Sequence, residues 1–206
     1  MHALVVVAHP KSVSFVHTVA ANVAEGFAQS DPNNSWEIAD LAAEGFDPRF
    51  TANDIRVHLR TAQPSADVLA EQTRIDRADA LILVYPVYWW SMPGLLKGWI
   101  DRVFANGWAY DEGADGRLVK RLRHLPVHLV AIGGASQRTY ARHGYFGAMK
   151  TQIDHGIFDY CGAPVKTSEL LLRSDVDDLA EHLDKARTIG INASRHPEVE
   201  TVTRAA

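Results

Sequence analysis

Between residues 81 and 104 the chain reads LILVYPVYWWSMPGLLKGWIDRVF. Tyr85, Tyr88, Trp89 and Trp90 crowd together around Pro86 and Pro93. Flat aromatic faces at that density suit a planar, conjugated ligand held by stacking. The same side chains would also serve as core or subunit packing, and composition alone leaves both readings open. A second group lies in AHPKSVSF, residues 8–15. Ser12 or Ser14 can present a hydroxyl beside the free N–H groups of a helix start, where the helix field favours an anion. Lys11 adds charge, and His9 can donate to a phosphate or stack beside an adenine. An ordinary N-cap serine flanked by a surface His and Lys accounts for the same letters. The third group is IGGASQRTY, residues 132–140. Gly133 and Gly134 let the backbone approach a flat ligand closely, or simply make a tight turn. Tyr140, His143 and Tyr145 follow as candidate pocket walls or hydrogen-bond donors.

Each group begins where an apolar run stops, so the elements around them matter. The valine-rich run 3–8 reads as a fully buried strand. Residues 14–27 read as a helix with Val16, Val19, Ala20, Val23 and Phe27 along its inner stripe. Further strands are expected at 36–41, 80–84, 128–132 and 165–171. Further helices are expected at 65–77, with Leu69 and Ile75 inward, and at 93–104, 144–158 and 176–189. Residues 42–63 read as loop and short helix, and a polar tail follows from 192. Strands alternating with helices imply a doubly wound α/β domain over residues 1–191, with a five-stranded parallel sheet and helices on both faces. The strand order expected is the flavodoxin-like 2-1-3-4-5, whose switch point lies between the first and third strands. Ligands of such sheets bind beyond the carboxyl ends of the strands. The loops at 9–14, 85–92 and 133–145 all fall there.

Composition narrows the function. The chain has 206 residues, 47% of them hydrophobic, enough to bury roughly 70% of its unfolded surface. A formal charge of −4 offers no basic face for nucleic acid. The single cysteine, Cys161, excludes an intrachain disulfide and a multi-cysteine metal site, and its apolar neighbours suggest a structural thiol. The N-terminal apolar run is too short to span a bilayer and carries no basic leader, so a cytoplasmic protein without stable membrane insertion is expected. No HExxH, CxxC, GxSxG, GxGxxG or Walker A motif occurs. His2, His9 and His17 make no convincing metal-ligand spacing, and no metal is expected. No local Ser/His/Asp grouping stands out, although one can be assembled in space. Cofactor-borne redox chemistry needs none of these motifs.

At this point the sequence resembles the flavodoxin-fold NAD(P)H:quinone oxidoreductases, over about residues 3–172. VVAHPKSVSF is similar to that family's AHPxxxSFN loop, and YPVYWWSMPGLLKGWIDRVFANGWAY to its FPxxWxxxPAxLKGWxDRVxxxGFAY segment. The GG pair before a Tyr-x-x-x-Gly-Tyr stretch, and FDYCG, resemble later signatures. The resemblance implies a tightly bound flavin, FAD with FMN as the alternative, and NAD(P)H as reducing co-substrate. It places His9, Ser14 and Phe15 around the flavin's phosphate and adenine side. Pro86, Val87, Tyr88, Trp89 and Trp90 lie against its ring, and Gly133 and Gly134 at the ring's pyrimidine edge. Tyr140 and its neighbour His143 become the candidate catalytic pair, with Tyr140 also touching cofactor. Tyr110, Trp89 and Tyr145 become substrate contacts, and Asp101 approaches the partner subunit's cofactor in a homodimer whose active sites lie at the interface. Val16 departs from the family, standing where an asparagine often follows the SF pair. The implied reaction is ping-pong hydride transfer from NAD(P)H to flavin and then to a small-molecule quinone, both substrates stacking in turn on an open Trp89/Trp90 platform. Nitro- or azo-reduction, or a regulatory role beside a potassium-efflux transporter, are the competing functions.

Overall fold

The computed structural model describes residues 1–112, 116–175 and 178–195. Five strands form one parallel sheet: β1 (His2–Val7), β2 (Ser35–Asp40), β3 (Ala80–Pro86), β6 (Val127–Gly133) and β7 (Val165–Leu172). Their order is β2-β1-β3-β6-β7, which is 2-1-3-4-5 when only sheet strands are counted. An antiparallel pair, β4 (Tyr110–Glu112) and β5 (Leu118–Lys120), stands apart from this sheet. β3 and β6 are buried along their whole length, and β1 from Ala3 onward, which is why they read as continuous apolar runs. β2 and β7 are edge strands and remain partly exposed.

Alternation along the strands divides the core in two. Val5, Val7, Ile82 and Val84 face α1 (Phe15–Ser30) and the terminal helix α7 (Ala180–Ala193), through Val19, Val23, Phe27 and Ile189. Leu4, Val6, Leu81 and Leu83 face the opposite side. There they meet Ile75 of α3 (Ala66–Asp76), Leu96 and Trp99 of α4 (Gly94–Val103), and Ile153 and Phe158. Gly26 and Gly190 set the α1–α7 spacing. A Cβ on Gly190 would lie 1.9 Å from the Val23 carbonyl oxygen, and one on Gly26 2.1 Å from that of Arg187.

A buried ion cluster fixes α4. Arg102 donates to Asp54 in α2 (Ala52–His58) at 3.2 Å and to Asp67 in α3 at 2.7 Å, and reaches the Asp47 carbonyl at 2.7 Å. Its side chain is only 5% exposed. The Trp99 indole N–H donates to Glu71 at 2.8 Å, a second buried tie between α4 and α3. These contacts orient the helix that follows the aromatic loop.

Several expectations need correction. Leu69 is exposed, and Val68 is buried instead, because the inward face of α3, which also carries Ile75, lies one residue earlier. Tyr85 and Pro86 belong to β3, not to the loop, and Tyr85 is buried. The helix expected over 144–158 begins earlier and is broken. α5 (Gln137–His143) ends on Gly144, whose φ of 69° only glycine adopts freely, and α6 (Tyr145–Met149) then runs into a π-helical segment, Lys150–Asp159. The final helix starts at Ala180 rather than 176 and continues to Ala193, which is buried, so the expected tail begins later than 192. Val176 and residues 196–206 lie outside the described residues.

Candidate active site at the sheet switch point

The β1–α1, β3–α4 and β6–α5 loops meet at the carboxyl ends of β1, β3 and β6. They enclose a cavity of about 480 Å³ lined by His9, Lys11, Ser14, Phe15, Pro86, Val87, Tyr88, Gly133, Gly134 and Arg173, among others. A larger hollow of about 610 Å³ lies at the amino ends of the strands, beside Met1, Asp79 and Pro126. The smaller cavity is the candidate site, because the strand carboxyl ends gather the loop N–H groups and helix starts that bind ligands in open α/β sheets. Among the described residues its lining carries Lys11, Arg173 and His9 but no Asp or Glu. That charge balance suits an anion.

The β1–α1 loop is organised by side chains. The Lys11 backbone N–H donates to His9 Nδ1 at 3.1 Å. Ser14 occupies the N-cap of α1 yet makes no capping bond, so the ordinary N-cap reading of this serine fails. Its hydroxyl instead pairs with His17 Nδ1 at 2.8 Å, and His17 Nε2 pairs with Asp40 at 2.9 Å. A Ser/His/Asp group is thus assembled in space from α1 and the end of β2. Phe15 lies under Arg173, whose guanidinium is 5.4 Å from the ring centre. Sequence reasoning missed Arg173 and His17. Arg173 follows β7 directly, and a basic residue just past a strand's carboxyl end was the available signal.

The aromatic loop is a tight turn. The Tyr88 and Ser91 backbones exchange two hydrogen bonds of 3.1 Å, and the residues between them, Trp89 and Trp90, have φ of 50° and 60°. Positive φ at two consecutive tryptophans is strained, at roughly 1–3 kcal/mol each. Strain of this kind clusters at ligand sites. The turn sends the two indoles apart. Trp90 stacks on Tyr145 with centroids 3.8 Å apart and meets Tyr140 edge-on at 5.3 Å. Trp89 projects outward and is 93% exposed. The expected open Trp89/Trp90 platform is therefore not formed, because Tyr145 already covers one Trp90 face. Neither indole lines the cavity.

The two glycines of the third loop differ. A Cβ on Gly133 would meet Leu172 Cδ2 at 2.7 Å and the Tyr140 hydroxyl at 2.8 Å, so a side chain there would have to displace both. A Cβ on Gly134 would meet nothing within 4 Å. Gly134 is exposed and lines the cavity, and its missing side chain leaves a cradle open to a ligand. Tyr140 is buried beside Gly133, and burial raises its phenol above the ordinary value, so it is a hydroxyl donor at neutral pH. His143 is exposed and stacks on Tyr145 at 5.2 Å.

Two candidate residues lie elsewhere. The Tyr110 hydroxyl is 3.3 Å from His58 Nδ1, and His58 Nε2 is 3.2 Å from the Asp101 carbonyl oxygen. The Asp101 carboxylate accepts from Lys97 at 2.6 Å. Neither Tyr110 nor Asp101 lines the cavity. Burial, then the proximity of Tyr160, Cys161 and Glu112, raises the Tyr110 phenol above its ordinary value. Cys161 is buried, and burial pushes its thiol up to about 11, with Lys120 opposing, which is the environment of an unreactive structural thiol. Among the described residues no group of His, Cys, Asp and Glu side chains is arranged to hold a metal, and no helix is long and apolar enough to cross a membrane.

Topology and site together define a flavodoxin-type protein: a 2-1-3-4-5 parallel sheet with an anion-suited crevice at its switch point. The profile of the family described as having a flavodoxin-like fold matches residues 1–189, and the chain belongs to that family, within its NAD(P)H:quinone oxidoreductase members. It is 29% identical over 189 residues to NAD(P)H dehydrogenase [quinone] 1 of Cavia porcellus, covering 82% of this chain and 67% of that protein. It superposes on the NAD(P)H:quinone oxidoreductase from Methanothermobacter marburgensis with a TM-score of 0.83 at 26% identity, covering 93% of this chain and 98% of that one. It also shares its fold with general stress protein 14 from Treponema denticola, solved in complex with FMN, at a TM-score of 0.64 and 23% identity over 95% of this chain and 100% of that one.

Proposed function

We propose that the protein is a flavin-dependent NAD(P)H:quinone oxidoreductase whose flavin occupies the switch-point cavity. The observation that carries this reading is the fit of that cavity: a cationic lining that holds no carboxylate among the described residues, an open cradle at Gly134, and a wall of Pro86, Val87 and Tyr88. When bound, the flavin would supply hydride acceptance from reduced nicotinamide and electron donation to a quinone. His9, Ser14 and Phe15, with Lys11 and Arg173, hold the phosphate end. Gly134 leaves room for the ring edge, and Tyr140 supplies a buried hydroxyl donor behind Gly133. FMN is the flavin we carry forward, since one cationic end is what a terminal phosphate monoester requires. FAD is the alternative and would place its diphosphate on the same groups.

A homodimer is part of this reading. Trp89 and Tyr88 are exposed large aromatics at the mouth of the site, and a second copy would cover them. Trp89, Tyr145, Tyr110 and Asp101 would then complete a substrate pocket shared across the interface, and His143 would stand at its exposed side. The test is reconstitution with FMN or FAD, followed by initial rates with NADH or NADPH and menadione. Use of one pocket in turn gives parallel double-reciprocal lines, whereas intersecting lines refute it. Absence of flavin retention refutes the enzyme reading itself. Azo and nitroaromatic acceptors in the same assay rank the oxidants by kcat/KM.

A further inference from the structure

Ser14, His17 and Asp40 form a hydrogen-bonded chain that neither ring binding nor hydride transfer requires. Asp40 Oδ2 lies 2.9 Å from His17 Nε2, while its Oδ1 accepts from the Ala42 and Ala43 N–H groups at 3.2 Å each. An ionised carboxylate only accepts, so His17 Nε2 carries a hydrogen in both protonation states. The state of Nδ1 therefore decides what Ser14 does. With Nδ1 bare, it accepts the Ser14 hydroxyl hydrogen at 2.8 Å, and Ser14 has nothing to donate into the cavity. With Nδ1 protonated, it donates to Ser14 Oγ, and the Ser14 hydrogen is free to turn toward an anion. His9, from the β1–α1 loop, also faces His17, with ring centroids 6.0 Å apart and edge-on. Asp40 comes from β2.

We propose that this chain is a proton-linked phosphate lock: a flavin phosphate binding at the β1–α1 loop draws one proton from solvent onto His17 Nδ1, which turns the Ser14 hydroxyl from His17 to the phosphate. The imidazolium then adds positive charge behind Ser14, and Asp40 holds it in place. His17 is a positioning residue acting through Ser14. Imidazole is suited to this, because it is the side chain whose charge ordinarily changes between pH 5 and 8. The arrangement is not that of a hydrolytic triad, in which serine meets Nε2 and the carboxylate meets Nδ1. Here the ring is reversed, and the serine stands at a helix start in a cationic cavity. The inference rests on the proposed flavin site and adds to it a pH dependence of cofactor affinity.

The test is titration calorimetry of the wild-type protein with FMN, in two non-phosphate buffers of different ionisation enthalpy at pH 7.5. Riboflavin, which lacks the phosphate, is the matched probe. Net proton uptake, at most about one per FMN, is expected, and FMN affinity should strengthen as pH falls, by at most about tenfold per pH unit. Riboflavin should show neither effect. His17→Asn keeps a donor near Ser14 but cannot titrate, so uptake should vanish while circular dichroism stays native. Uptake that persists in His17→Asn belongs to the FMN phosphate itself and overturns the proposal. FMN binding without uptake in the wild type also overturns it and leaves the flavin site standing. No flavin binding at all overturns both. Ser14→Ala should lose the uptake and weaken FMN about tenfold or more, the value of a charge-assisted hydrogen bond, with riboflavin affinity unchanged.

Discussion

Gly133 and Gly134 are adjacent, yet alanine at the two positions should have opposite consequences. At Gly134 the added methyl meets nothing within 4 Å, and the backbone there does not have the positive φ that disfavours a side chain. A compatible Gly→Ala change stabilises by about 0.4–1 kcal/mol through the unfolded chain. For a chain of this size that is roughly 1–4 °C in Tm. The same methyl fills the cradle, so Gly134→Ala should weaken FMN at least about tenfold, or 1.4 kcal/mol. At Gly133 the methyl would stand 2.7 Å from Leu172 Cδ2 and 2.8 Å from the Tyr140 hydroxyl. Ordinary contact needs 3.4 Å or more, so both side chains must give way by more than half an ångström. Overpacking of that kind costs about 1–3 kcal/mol. Gly133→Ala should therefore lower Tm and disturb Tyr140. Thermal melts of the flavin-free proteins and fluorescence titration with FMN measure the two quantities separately. Wild-type FMN affinity in Gly134→Ala would remove this glycine from the ligand surface and refute the reasoning.

Three further outcomes are expected. Burial, with Lys166 nearby, lowers His128 from 6.5 to about 4 in the folded protein. The unfolded chain therefore binds the extra proton first, and stability present above pH 6.5 is lost as pH falls toward 4, by at most about 3 kcal/mol; urea midpoints of His128→Gln should flatten over that window. Arg102→Met leaves Asp54 buried without its cation, and urea unfolding should show a loss of about 3–5 kcal/mol, whereas a loss under 1 kcal/mol would mean that the cluster does not fix α4. Trp89→Gly removes an indole that is 93% exposed and relieves a φ of 50°, so flavin-free Tm should not fall, while sedimentation over a dilution series should show weaker self-association if Trp89 faces a second copy.

The sheet was legible in the sequence because its central strands are buried on both faces. Leu81–Val84 and the run from Ala3 to Val7 admit no polar interruption, and a candidate functional loop begins within three residues of the end of each. That pattern is local, so the sequence of the five sheet strands and the places of the three loops at 9–14, 85–92 and 133–145 follow from it, whereas the antiparallel pair β4–β5 has strands of three residues and left no such signal. The cavity's His9, Ser14, Phe15, Pro86, Val87, Tyr88, Gly133 and Gly134 were readable for the same reason. Helix faces were less secure. A shift of one residue separates Val68 from Leu69, and only tertiary packing chooses between them. The direction of the two indoles depended on a turn with positive φ at Trp89 and Trp90, a conformation that no tryptophan propensity suggests. Arg173 reaches the cavity from just past β7, more than 150 residues beyond Phe15, and Asp40 reaches His17 from the end of β2. The physical division is one of range: burial and periodicity act through neighbouring residues and are written in the chain, whereas side-chain direction and charge pairing are chosen between segments that meet only once the sheet has formed.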